Sequence, residues 1–124
     1  MKKVLVIDDE EHIREVAQLS LEMVAGWQVL TASSGKEGIM QAESMQPDLI
    51  LLDMMMPEMD GKATFENLQA HDLTKHIPVI LLTAKVQAAD QRRFGELGVT
   101  GLISKPFDPM NLAYDVAKII HWDI

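Results

Sequence analysis

Leu49-Ile50-Leu51-Leu52-Asp53 is a run of four apolar residues closed by a carboxylate. A strand with one wet face alternates apolar and polar side chains. An unbroken apolar run suits a strand buried on both faces, as in a parallel sheet packed between helices. The pattern repeats outward from this run. Lys3–Ile7 precedes Asp8-Asp9, Val79–Thr83 ends on a threonine, and Val99–Ser104 leads into Lys105-Pro106. Trp27–Ala32 supplies the remaining candidate strand.

Helical patterns separate these runs. The first spans about Glu10 to Ala25, with Ile13, Val16, Ala17, Ser20 and Val24 on one stripe and Gly26 placed to close it. The second opens at Ser34-Gly35-Lys36-Glu37, which has capping-box spacing. The third covers about Lys62–Ala70, and the fourth about Val86–Leu97 before Gly98. The last is predicted to start at Asp108-Pro109, as N-cap and first-turn proline, and to run to the end of the chain. Five alternations of strand and helix predict an α/β domain with a parallel sheet. Right-handed crossovers leave few strand orders that cover both faces, and 2-1-3-4-5 is a leading one. In such a sheet the site lies beyond the carboxyl ends of the strands, beside the switch between strands 1 and 3.

Composition narrows the function. At 124 residues the chain is expected to form a single domain over 1–124, with no repeat or linker. Its net charge of −8 and only 11 scattered Lys and Arg residues argue against direct nucleic-acid binding. The absence of cysteine excludes disulfides and thiolate chemistry. No apolar run is long enough to span a bilayer, and the start lacks the apolar core of a signal peptide. The expectation is a cytoplasmic protein with no membrane insertion, a monomer or weak dimer.

The polar residues at the predicted strand ends form a chemically coherent set. Asp8 and Asp9 follow strand 1, Asp53 ends strand 3, Thr83 ends strand 4 and Lys105 follows strand 5. Singly, each has an ordinary explanation: an N-cap for Asp9, a strand terminus for Thr83, a solvated surface position for Lys105. Together they converge on one crevice. Three crowded carboxylates repel one another unless a cation intervenes, and oxygen ligands of this type suit Mg²⁺. Lys105 can offset the remaining negative charge, and the Thr83 hydroxyl can donate to a phosphoryl oxygen. Positioning and charge neutralisation are what phosphoryl transfer chiefly requires, and Asp is a competent nucleophile for it.

Four segments carry a family resemblance over essentially the whole chain: Val4-Leu5-Val6-Ile7-Asp8-Asp9-Glu10, Asp48 through Gly61, Pro78-Val79-Ile80-Leu81-Leu82-Thr83-Ala84 and Lys105-Pro106-Phe107. The sequence resembles the receiver domain of two-component response regulators. The resemblance implies a flavodoxin-like (βα)5 three-layer sandwich with sheet order 2-1-3-4-5. It makes Asp53 the phosphoacceptor and Asp8, Asp9, Asp53 and the Met55 backbone carbonyl the ligands of Mg²⁺ (or Mn²⁺). Thr83 and Lys105 take the switch and phosphate-pairing roles, and the Ala84 N–H contacts the phosphoryl group. It also implies a cis Lys105–Pro106 bond. The expected donor is a sensor histidine kinase or histidine phosphotransfer protein, and the expected role a phosphorylation-controlled switch rather than a turnover enzyme. Leu102 stands where such domains commonly carry an aromatic residue, three before the lysine, so a muted coupling through the Ala84–Leu97 segment is expected.

Three alternatives are weaker. An aspartate-nucleophile phosphatase needs an acid two residues after the nucleophile, and Met55 stands there. A flavin-phosphate site needs a small polar loop after strand 1, and Asp8-Asp9-Glu10-Glu11 repels phosphate. A binding-only module has no use for a crowded anionic crevice. The Met54-Met55-Met56 run is expected to pack beside the site, with Met55 and Lys85 shielding the phosphoryl group from water. The four histidines lack zinc spacing, and His121-Trp122 is expected to be a frayed helix end.

Overall fold

The structure is a computed structural model and describes residues 1–84, 92–93 and 95–123. Five parallel strands, β1 (Lys3–Ile7), β2 (Gln28–Ala32), β3 (Leu49–Asp53), β4 (Val79–Thr83) and β5 (Gly101–Ser104), form one sheet in the order β2-β1-β3-β4-β5. Four described helices accompany them: α1 (Glu11–Ala25), α2 (Gly35–Met45), α3 (Gly61–Ala70) and α4 (Leu112–Ile120). Most of the expected helix at about Val86–Leu97 lies outside the described residues; residues 92–93 and 95–96 of it are helical.

The continuous apolar strands are divided residue by residue between two cores. Val4, Val6, Leu49, Leu51, Ile80, Leu82 and Ile103 face one side and pack with Ala17 and Leu21 of α1 and with Leu112, Ala113, Val116 and Ala117 of α4. Leu5, Ile7, Ile50, Leu52, Val79 and Leu81 face the other, with Ala42 of α2 and Phe65 and Leu68 of α3. Period-two side-chain geometry requires this division, and it builds the three layers.

Helix ends follow local chemistry, with three departures. Gly26 closes α1 in the left-handed conformation, its N–H reaching Glu22 O. Ser34 caps α2 by accepting from the Glu37 N–H, but Glu37 answers one residue earlier than a strict capping box: its carboxylate accepts from the N–H and hydroxyl of Ser33. Those bonds hold the Glu37 carboxyl below its usual range.

The last helix begins at Leu112, not at Pro109. Asp108 uses its carboxylate on the Met110 N–H and the Asn111 amide, making a turn, while the Pro109 carbonyl accepts the Ser20 hydroxyl of α1. The end of α4 is not frayed either. His121 turns the chain in the left-handed conformation, and Trp122 packs edge-on to Trp27 with ring centroids 5.1 Å apart.

Candidate functional site

Parallel pairing brings the reactive residues level with one another. Ile7 pairs with Leu52, so Asp8 and Asp53 emerge side by side from β1 and β3. Thr83 pairs with Ser104, and the Lys105 N–H continues the ladder onto Thr83 O, which sets the lysine beside the crevice. The Lys105–Pro106 peptide bond is cis, as the resemblance implied.

The three aspartates meet: one carboxylate oxygen from each of Asp8, Asp9 and Asp53 lies within 4.8 Å of the others. Asp8 and Asp53 are buried, whereas Asp9 is exposed. Lys105 reaches across from β5, its Nζ 3.1 Å from Asp8 Oδ2 and 3.3 Å from Asp53 Oδ1. It is therefore no surface lysine; the side chain is 17% exposed and spans two buried carboxylates.

Electrostatics follow from that crowding. Burial, and then the neighbouring Asp8 charge, push the Asp53 carboxyl up to about 6, against the opposing pull of Lys105. Burial works against the Lys105 ammonium, but its bonds to Asp8 and Asp53 outweigh it and hold the proton more firmly than usual. One oxygen stands apart. Asp53 Oδ1 accepts from Lys105 Nζ and from the Met55 N–H, whereas Asp53 Oδ2 is buried without a hydrogen-bond partner. A buried carboxylate oxygen left bare is costly, so its lone pairs are available to an electrophile.

An all-oxygen donor set with one bare oxygen fits a hard divalent cation, which takes one or two carboxylates and completes its shell with water. Thr83 lies buried at the end of β4, and Ala84 follows it exposed. Met54 packs on the α2–α3 core and Met56 is buried, while Met55 points outward, 74% exposed. Lys85, expected to face Met55, lies outside the described residues, as does most of the expected Ala84–Leu97 switch segment.

Two contributors escaped the sequence reading. Arg14 Nη1 donates to Asp8 O at 2.8 Å, clamping the loop that carries the acidic pair from one turn into α1. The only signal was a cation four residues after Glu10 on the helix, which reads equally well as a surface residue. Gly61 is the second. A Cβ there would sit 2.5 Å from Asp53 O and 2.6 Å from Met54 Cα, so α3 can pack against β3 only through a glycine.

Comparison with known proteins agrees with this geometry. A model of the response regulator receiver domain matches residues 4–117. Over 119 residues the chain is 40% identical to the alkaline phosphatase synthesis transcriptional regulatory protein PhoP of Bacillus subtilis, covering 96% of this chain and 48% of that protein. It is 39% identical to the phosphate regulon transcriptional regulatory protein PhoB of Pseudomonas aeruginosa, covering 96% and 52%. The chain thus spans about half the length of these curated relatives. The chemotaxis response regulator CheY4 of Vibrio cholerae has the same fold at a TM-score of 0.88 and 30% identity, covering 96% of this chain and 98% of that one. With a family match over nearly its whole length and an acidic crevice at the strand ends, the chain belongs to the response regulator receiver domain family.

Proposed function

We propose that Asp53 accepts a phosphoryl group from a phosphohistidine donor, in a reaction that requires Mg²⁺ or Mn²⁺. The observation that carries this reading is the bare, buried Asp53 Oδ2 beside an acidic pair and a lysine. Asp8, Asp9, Asp53 and the Met55 carbonyl would hold the cation, which when bound supplies charge neutralisation for the incoming phosphoryl oxygens. Asp53 Oδ2 attacks phosphorus, the bond between phosphorus and the donor's imidazole nitrogen breaks, and an acyl phosphate forms. Lys105 keeps Asp53 Oδ1 occupied and its ammonium charge beside the reacting group. Thr83 donates its hydroxyl to a phosphoryl oxygen, and the Ala84 N–H donates to another.

The donor class is a sensor histidine kinase or histidine phosphotransfer protein, and the phosphorylated surface engages a downstream partner. The only chemistry catalysed is the chain's own phosphorylation and dephosphorylation. The receiver unit runs over the whole of 1–124: Trp122, beyond the family match, packs against the same core as α1 and α4. Among the described residues no helix is long and apolar enough to cross a membrane.

Incubation with acetyl phosphate and Mg²⁺, followed by intact mass, tests the assignment. Wild type should gain about 80 Da, the mass of one phosphoryl group, and Asp53→Asn should gain nothing. An equal gain in Asp53→Asn sinks it.

A further inference from the structure

Every polar group of Asp8 is engaged. Its N–H donates to Ala32 O, Oδ1 accepts from the Glu10 N–H, and Oδ2 accepts from Lys105 Nζ. Its carbonyl accepts from Arg14 Nη1 at 2.8 Å. Asp9 comes next in the chain and stands exposed, its carboxylate close to those of Asp8 and Asp53. An exposed side chain is not positioned by packing. The place of the Asp9 carboxylate over the crevice is therefore set by the backbone, through Asp8.

On charge alone Arg14 is badly placed, because a fixed cation beside a site for a divalent cation repels the metal. Its value lies in the bond. A charge-assisted hydrogen bond is roughly twice as strong as a neutral one, and a guanidinium gives up less side-chain freedom per bond than an ammonium. Arg14 also faces the start of α2. The Ser33 bonds are the main reason that the Glu37 carboxyl lies below its usual range, and the Arg14 charge adds to them. Half-buried on α1, Arg14 thus links the acidic loop to the loop between β2 and α2.

We propose that Arg14 is a positioning residue for the cation site: by fixing the Asp8 carbonyl it holds the Asp9 carboxylate in place and raises Mg²⁺ affinity, although it carries the metal's own sign of charge. The inference rests on the cation site proposed above.

The sign of one measurement decides it. On the ¹⁵N-labelled full chain, Mg²⁺ titration followed at the amides of Asp9, Glu10 and Met55 gives the dissociation constant. Arg14→Ala should weaken Mg²⁺ binding about tenfold, as loss of a residue that orients a metal ligand does. Loss of charge alone would tighten it. Alanine is the best helix former, so the variant folds. Arg14→Lys keeps the charge and one donor, and should bind with intermediate strength. Equal or tighter Mg²⁺ binding by Arg14→Ala overturns the proposal.

Two further readings separate positioning from chemistry and from the cation site itself. With phosphoramidate as donor, Arg14→Ala should need about tenfold more Mg²⁺ for its half-maximal labelling rate, and the deficit should vanish at saturating metal. A lowered maximum with an unchanged Mg²⁺ requirement overturns the positioning role. In metal-free buffer, hydrogen exchange at the Glu10 amide should quicken in Arg14→Ala, because the loop has lost an anchor before any metal arrives. Unchanged exchange overturns the role too. If wild type shows no Mg²⁺-dependent shifts, the cation site falls, and the metal-free exchange still decides whether Arg14 orders the loop.

Discussion

The two ends of the sheet are built on opposite principles. At the carboxyl end, two buried carboxylates, an exposed third and one lysine share a crevice, and one carboxylate oxygen is left bare. At the amino end, among the described residues, no buried side-chain polar atom lacks a partner. Trp27 and Trp122 meet edge to face, Lys2 Nζ sits 4.9 Å from the Trp122 ring centre, and Asp48 accepts from the Lys3 N–H. One end crowds three carboxylates around a single lysine, which suits the cation and phosphoryl group proposed for it. The other closes the core with aromatic surface and supplies stability the site lacks. Function and stability should therefore separate along the strand axis.

The sharpest break in the comparison is a double dissociation. Asp53→Asn should abolish phosphoryl uptake, read by intact mass, while the fold survives. Trp27→Ala, at the far end, should cost about 3–5 kcal/mol in urea unfolding. It should leave uptake intact at temperatures where the variant is folded. Loss of uptake in folded Trp27→Ala would mean that the two ends are not independent.

Gly61→Ala probes the boundary of the site end. The added methyl meets backbone rather than a flexible side chain, so α3 must move away from β3, at about 1–3 kcal/mol. Because the displaced backbone is that of Asp53 and Met54, uptake should slow as well. A stability loss with unchanged uptake would place the acceptor outside the strained contact.

The electrostatic cost at the site should be visible in pH dependence. The folded Asp53 carboxyl stands at about 6 against an ordinary 3.8, so the folded state holds this proton more tightly than the unfolded chain. Folding then takes up a proton between those values, and lowering pH through that window favours the fold. Above about 6 the ionised, crowded carboxylate is a full penalty. In metal-free buffer Asp53→Asn should therefore be more stable than wild type at pH 8, and the gap should close as pH falls toward 4. Mg²⁺ should raise the melting temperature of wild type at pH 8, and Asp9→Ala should lose most of that gain. A gap that is constant with pH would remove the repulsion from the account.

The smallest effect belongs to the satisfied end. Lys2→Gln removes an exposed cation–π contact and should cost about 0.5–1 kcal/mol without touching uptake.

Much of the fold could be read locally. Unbroken apolar runs announce strands covered on both faces, and Gly26 and Ser34 mark helix ends through bonds formed within a few residues. The strand-end positions of Asp8, Asp53, Thr83 and Lys105 are also visible along the chain, because a side chain at a strand terminus needs no knowledge of its neighbours. What remained hidden depends on distant partners. The hydroxyl that engages the Pro109 carbonyl is 89 residues away on α1, and the last helix begins at Leu112 rather than where Asp108-Pro109 would start it. Trp122 is seated by Trp27, which no local rule connects to it. Lys105 bridges Asp8 and Asp53 from 97 and 52 residues away, Arg14 clamps the Asp8 carbonyl, and Asp53 Oδ2 is bare only because Lys105 and the Met55 N–H both take Oδ1. Propensity and periodicity are properties of neighbouring residues, and they were enough to place Asp8, Asp9, Asp53, Thr83 and Lys105 at strand ends. Which oxygen is occupied and which is bare depends on side chains that meet only once the sheet has assembled.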